Sequence, residues 1–269
     1  MPDVRQLTWR EYFIYTAEFL PLTGGAGTAF TTFGIKIAKD ATFEIRALTY
    51  RATDGRIFAR FKEDATGRYL MSGDPDMRAI AGRPIGGNSM APNTGEFQPF
   101  RWARPYRVPG GGTLTVEASD FSGASNTARI SFHGTKIRTG VAPYLMQKYR
   151  YRVPFTYEID LGTLAASGSA TGVITIDQSS DFLCYQITAT RTGEASVLIN
   201  ESARGRDWMD RAAHIDNLAG VGYAPNNLPG LWDAPRFIEH GGNIAATVTD
   251  LSALANTVRL YFHGEQLYA

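Results

Sequence analysis

Four histidines are the side chains of this sequence best suited to proton transfer or metal ligation near neutral pH, so their settings decide what chemistry is open. His133 and His263 recur in one context, Phe132-His-Gly134 and Phe262-His-Gly264. A metal centre or a catalytic base needs a second ligand or an orienting group at fixed spacing, and none recurs beside either histidine. Both are read as strand-end residues whose imidazole bonds a loop carbonyl, with Gly134 and Gly264 taking a turn conformation. His214 and His240 have no histidine counterpart elsewhere in the chain, which argues against a shared site.

Carboxylates are plentiful and scattered. Asp120 and Asp250 each precede an apolar residue and a serine, the pattern of a loop residue bonding its own backbone, and Asn126 and Asn256 recur for a similar reason. A glycosidase would need two carboxylates roughly 5–9 Å apart, which spacing along the chain neither places nor excludes. Gly110–Gly112 and Gly24–Gly27 are glycine-rich but lack the Lys-Ser/Thr of a phosphate loop and a following helix, so they read as turns. There is no HExxH, no cysteine pair and no Gly-x-Ser-x-Gly elbow. The expectation is a non-enzyme without catalytic residues, metal or cofactor. Cys184, between Leu183 and Tyr185, reads as a small buried core residue, and a lone cysteine makes no intrachain disulfide.

The residues that recur are scaffold residues, and they belong to a repeat. Ala103–Ile137 aligns without gaps on Asp233–Leu267, with identical residues at Pro105, Gly111, Gly112, Asp120, Ser122, Asn126, Thr127, Arg129, Phe132, His133 and Gly134. The starts match more loosely: Phe13-Ile-Tyr15 with Phe155-Thr-Tyr157, then a small-residue stretch, then Phe33–Ile37 with Gly172–Ile176. Within each copy the apolar period is two. In Thr113–Ala118, Leu114, Val116 and Ala118 face one way, and Thr113, Thr115 and Glu117 the other. Phe43–Tyr50 and Phe182–Ala189 read as longer strands, with turn clusters at Asp54-Gly55, Pro109–Gly112 and His240–Gly242. Short strands broken by turns at this spacing predict an all-β chain of two tandem antiparallel β-sandwich, jelly-roll-like domains from an internal duplication. The expected division is 1–137, a connector 138–153, and 154–269. Helix is expected only over Gly205–Ala213, with a turn at Leu145–Tyr149.

Composition narrows the partners. With 27 basic and 26 acidic residues the formal charge is +1, which offers no field for steering nucleic acid or an anionic membrane. Arg101, Arg104 and Arg107 interleave with Trp102 and Tyr106, and Lys148–Arg152 alternates charge and aromatic ring. Such stretches can stack bases, but Arg and Tyr are also enriched at protein interfaces, and near-neutrality favours the interface. No stretch approaches the ~20 apolar residues of a membrane span, and Met1–Arg10 lacks the apolar core of a secretory leader. Synthesis in the cytoplasm without membrane association is expected.

Two long middle regions, 67–98 and 205–234, carry apolar residues on Gly-, Pro- and Asn-rich sequence. These need burial either in a layer capping the sandwich or against another chain. The connector is too aromatic for a free linker and must lie along a surface, its own or a partner's. The expected contact residues are Trp102, Arg104, Tyr106, Tyr144, Met146, Tyr149, Tyr151, Trp208, Met209 and Trp232.

One family resemblance can be drawn from the second copy. Ile174-Thr-Ile-Asp177 followed by Asp181-Phe182, then Pro235 and Phe237, Gly241-Gly242, Val248-Thr-Asp250 and Val258–Gly264, resembles small β-rich virion proteins of tailed bacteriophages. The resemblance implies a capsid decoration, minor capsid, neck or tail component that resides in the virion. Its implied partners are major capsid, neck or tail proteins and further copies of itself. A host-attachment or carbohydrate-binding β-module is the alternative, and a glycan hydrolase the third reading.

Overall fold

The computed structural model describes residues 8–22, 29–53, 57–77, 100–121, 125–141, 149–201, 205–219 and 234–269. Its elements are almost all strands. The first half supplies β1 (Thr8–Leu22), β2 (Thr31–Lys36), β3 (Thr42–Ala52), β4 (Ile57–Glu63), β5 (Arg68–Tyr69), β6 (Phe100–Val108), β7 (Thr113–Asp120) and β8 (Asn126–Thr139). The second supplies β9 (Tyr151–Leu164), β10 (Ser169–Thr175), β11 (Asp181–Arg191), β12 (Ala195–Glu201), β13 (Arg206–Asp207), β14 (Ala213–His214), α1 (Ile215–Ala219), β15 (Arg236–Ile238), β16 (Asn243–Asp250) and β17 (Asn256–Tyr268). By compactness the chain divides into Ile14–Gly134 and a second unit made of Met1–Phe13 with Thr135–Ala269.

The strand order follows from one device, a long antiparallel ribbon rolled up. In the first half β1 pairs β8, β2 pairs β7, β3 pairs β6 and β4 pairs β5; rolling this ribbon gives the sheets β1-β8-β3-β6 and β2-β7-β4-β5. That is a jelly roll. The second half repeats the order as β9-β17-β11-β15 and β10-β16-β12-β13, with β14 added beside β12. The fold is therefore all-β and jelly-roll-like in both halves.

Alternation places the cores. β4 buries Ile57, Ala59 and Phe61 on one face, and β16 buries Ile244, Ala246 and Val248. Rings meet edge to face inside each sandwich: Phe61 of β4 on Phe132 of β8 at 5.0 Å, and Trp208, in the bend after β13, on Phe262 of β17 at 5.7 Å. Matching fasteners recur in both halves. Tyr15 accepts the Ala38 N–H at 3.0 Å and Tyr157 that of Asp177 at 3.2 Å. Gly112 N–H bonds Pro109 O at 3.0 Å and Gly242 N–H bonds Glu239 O at 2.9 Å. Each of these turns has a positive-φ glycine at its third position, Gly111 (80°) and Gly241 (68°), where a side chain would be strained.

Two expectations are corrected. Phe-His-Gly is no strand end, since β8 and β17 run straight through it. Gly134 and Gly264 do not have positive φ; they are glycine because a Cβ would lie 2.1 Å from Glu44 O or 2.2 Å from Leu183 O, where the neighbouring strand crowds in. The β11–β17 register slips beside this point, between Cys184 and Gln186. The helix expected over Gly205–Ala213 is also absent. Arg206 and Asp207 pair with Glu201 and Asn200, Ala213 and His214 pair with Val197 and Ser196, and helix begins only at Ile215. Tertiary pairing there outweighs the helical propensity of the segment.

Candidate interaction surface

The groups able to do chemistry are held by one another. His263 sits between two hydroxyls, Thr188 Oγ1 at 2.8 Å from Nε2 and Thr156 Oγ1 at 3.0 Å from Nδ1; His133 meets Thr49 Oγ1 at 2.8 Å. A neutral imidazole, one donor and one acceptor, matches hydroxyl partners, and burial lowers the His263 pKa in the same sense. The bonding partner is thus a side chain of an adjacent strand, not the expected loop carbonyl.

Sequence reasoning missed a four-residue cluster around His214. Its Nε2 lies 2.7 Å from Glu194 Oε2, while Nδ1 accepts the Asp216 N–H at 3.2 Å and lies 3.6 Å from Asp216 Oδ2. Arg191 Nη2 bonds both Asp216 oxygens, at 2.6 and 2.7 Å, and Arg191 Nη1 bonds Gly193 O. Glu194, His214 and Asp216 lie close enough together to be tested as metal ligands. Each ring nitrogen already has a partner and a guanidinium neutralises Asp216, so the cluster is satisfied by its own side chains. The cluster fastens α1 and β14 to the turn after β11.

The recurring Asp and Asn complete that turn. Asn256 Oδ1 accepts from Thr192 N (3.0 Å), Gly193 N (2.7 Å) and Thr192 Oγ1 (3.2 Å), and its Nδ2 donates to Glu194 O (3.2 Å) and Asp250 Oδ1 (3.0 Å). Asp250 bonds its own loop as expected, accepting from Ser252 N and Oγ, and also from Ser167 N. Burial alone would raise the Asp250 pKa; the bonds from Ser167, Ser252 and Asn256 outweigh it, and the net shift is downward. In the first half Asn126 Oδ1 accepts from Thr53 Oγ1 at 2.6 Å. A third cluster joins Asp181, which accepts from Tyr149 Oη (2.7 Å) and from His240 N (2.8 Å). Burial, then the bond to Asp181, raises the Tyr149 pKa.

The expected contact residues divide. Trp208 and Met209 are buried, each 1% exposed, so their apolar surface is taken up by the chain's own sandwich: the capping layer, not a partner. Trp208 lies under the Arg236 guanidinium, 5.2 Å from its ring. Arg236 is itself buried and, in the unit formed by Met1–Phe13 and Thr135–Ala269, is paired with Glu11 at 3.1 Å. Tyr106 is half-buried and donates to Glu63 at 2.5 Å across its sandwich; burial, then this bond, pushes its pKa up to about 12. Tyr149 packs on the Leu183, Phe237 and Leu267 cluster, so the connector at this point lies along its own surface. Trp102 is half-buried and Arg104 exposed on β6. Tyr144, Met146 and Trp232 lie outside the described residues.

Tyr151 is the exposed aromatic member among the described residues, and it has neighbours that were missed. On β9, an edge strand, alternate residues Tyr151, Val153 and Phe155 point to one face at 56%, 38% and 40% exposure. Tyr151 stacks on Tyr268 across the strand pair at 4.7 Å, and Phe155 packs on Tyr157. The period-two signal was present at 151, 153 and 155, but the expected boundary at 153 left Tyr151 and Val153 in the connector and Phe155 in the second domain. Among the described residues no helix is long and apolar enough to cross a membrane.

No known family matches the chain, and no curated protein matches it. Among solved structures it is similar, at 11% identity and a TM-score of 0.26, to a triple jelly roll protein of an archaeal virus turret assembly, over 97% of this chain and 59% of that one. It is similar at 6% identity and a TM-score of 0.17 to the tandem CBM22-1-CBM22-2 domain of Paenibacillus barcinonensis Xyn10C, over 96% and 93% of the two chains. For tomato vicilin the values are 8% and 0.15, over 87% and 74%. At such identities and TM-scores none of the three transfers a ligand or an activity.

Proposed function

We propose that this chain is a non-enzymatic structural component of a virion, assembling through protein–protein contacts. The observation that carries it is the pairing of a closed interior with an open apolar edge. The buried histidines and acids of the described residues are bonded within the fold, while Tyr151, Val153 and Phe155 stand in a row on edge strand β9. Jelly rolls serve viral capsids and lectins alike, so the fold agrees with this role without assigning it. The finer reading is a tailed-phage capsid decoration, minor capsid, neck or tail protein that resides in the particle, with other virion proteins as partners. Mass spectrometry of density-gradient-purified particles from the phage or prophage encoding the chain tests it. The chain is expected at fixed stoichiometry with the capsid protein; abundance in the lysate with absence from purified particles overturns the reading.

The Tyr151–Tyr268 stack favours one second reading, a glycan-binding module in which exposed Tyr151, backed by half-buried Tyr268, forms a platform for sugar faces. A glycan array with no hit that Tyr151→Ala abolishes removes it.

A further inference from the structure

We propose that β9 is a self-association edge, which a second copy of this chain covers by antiparallel pairing about a two-fold axis at Phe155. The inference rests on the assembly reading above and names the partner for one surface of it. β9 ends its sheet, with β17 as its neighbour there, and is exposed at every position from Tyr151 to Thr156. Its counterpart in the first strand order, β1, is buried at every position from Glu11 to Ala17.

The sequence of β9 is complementary to itself in this register. A two-fold contact makes residue i meet j and j meet i. With Phe155 on the axis, Arg152 of one copy stands opposite Glu158 of the other, and Arg150 opposite Asp160, each pair occurring twice. Val153 stands opposite the half-buried Tyr157 and Phe155 meets its own copy, joining the exposed apolar rows, while Tyr151 stands opposite Ile159, which is already buried in its own sandwich. All four charged residues are exposed. Their partners within the chain are loose or shared: Arg152 lies 3.5 Å from Glu265, and Arg259 is shared between Glu158 (3.8 Å) and Asp160 (3.0 Å). Pro154 has no N–H to give, so the ladder lacks a bond at each Pro154–Thr156 pair and the contact rests on the side chains.

Sedimentation velocity of the full chain across protein and salt concentration tests this. A dimer that weakens with salt is expected. Arg152→Glu and Glu158→Arg should each weaken it by about tenfold or more, and the double variant should restore it to within about threefold. The rescue is diagnostic, since both changes set like charges beside Glu265 and Arg259 within the chain and only a second copy can compensate. Phe155→Cys should form a disulfide-linked dimer on mild oxidation, because paired Cα atoms lie roughly 4.5–5.5 Å apart and Cys184 is buried. A chain that stays monomeric at all concentrations, or a double variant no better than the single ones, overturns the proposal. Particle association is measured separately, so either idea can fail alone.

Discussion

Asn256→Ala tests the view that the recurring polar residues are fasteners of the fold. Asn256 is fully buried and makes the five hydrogen bonds described above, yet truncation would not strand five partners. Thr192 N keeps Thr257 O at 3.2 Å, and Glu194 O keeps Leu251 N at 2.8 Å. Asp250 Oδ1 keeps Ser252 Oγ at 2.8 Å, and Thr192 Oγ1 keeps Thr257 N at 2.9 Å. The Gly193 N–H and the Thr192 hydroxyl proton lose their acceptor, and the hydroxyl, on an exposed residue, can turn to water. One stranded donor at half-buried Gly193 costs about 1 kcal/mol, the low end for such a group, and the lost bond to a charged group adds about 1.5–3 kcal/mol. The expected loss is therefore about 2.5–4 kcal/mol, or a Tm lower by roughly 5–15 °C at this domain size.

Asn256→Asp refines the test. It keeps the Oδ1 acceptor but faces Asp250 with a second carboxylate, so one proton is retained between them and the folded-state pKa of the pair rises. A raised acid pKa stabilises below the unfolded value and is lost as pH rises through the folded one. The deficit of this variant against wild type should be larger at pH 7 than at pH 4. Urea unfolding and calorimetry at both pH values measure it. Asn256→Ala within about 0.5 kcal/mol of wild type, or an Asn256→Asp deficit that does not grow with pH, would refute the reasoning.

Gly264→Ala and Gly134→Ala should each cost about 3 kcal/mol or more, because the added carbon meets a backbone carbonyl, whereas Gly73→Ala, with nothing within 4 Å, should stay within about 0.5 kcal/mol; chemical denaturation separates them. Asp250 has a lowered pKa, so its contribution is present above the ordinary aspartate value and fades as pH falls through the lower folded one; the stability gap between wild type and Asp250→Asn should shrink as pH falls below about 4. Burial pushes the Cys184 thiol pKa up, so it should resist thiol reagents in the native protein and react once denaturant unfolds it; fast native labelling would place it at a surface.

The β-fold was legible because alternation reports a half-buried strand directly, as in Leu114, Val116 and Ala118. Recurrence of Gly111, Gly112, Asn126 and His133 in the second copy marked positions where geometry, not chemistry, dictates the residue. What those residues touch was not legible. Asn256 reaches a turn more than sixty positions away, at Thr192 and Gly193, and no local pattern announces such a partner. His-Gly looked like a strand end because glycine usually signals a turn; its other cause, a strand pressed against it, depends on a neighbour distant in sequence. For Trp208 and Met209 the sequence left burial in a capping layer and burial against a partner both open, because the short pairing of Arg206 and Asp207 with β12 that folds them inward leaves no local pattern. The cluster of Arg191, Glu194, His214 and Asp216 draws on β11, the turn after it, β14 and α1, so it becomes a cluster only in three dimensions.

The nested ribbon also fixes an order of events during synthesis. Its innermost pair, β12 with β13, joins residues as near as Asn200 and Asp207, whereas its outermost, β9 with β17, joins Thr156 to His263 across 107 positions. Loop closure over such spans is slow, so the ribbon zips from its tip toward its ends and closes last at the final strand. Until β17 has emerged from the ribosome, both β9 and β11 lack the strand that lies between them. The nascent chain therefore passes through a stage with two open edges, at which premature encounters between neighbouring chains on one message are the main hazard to correct folding.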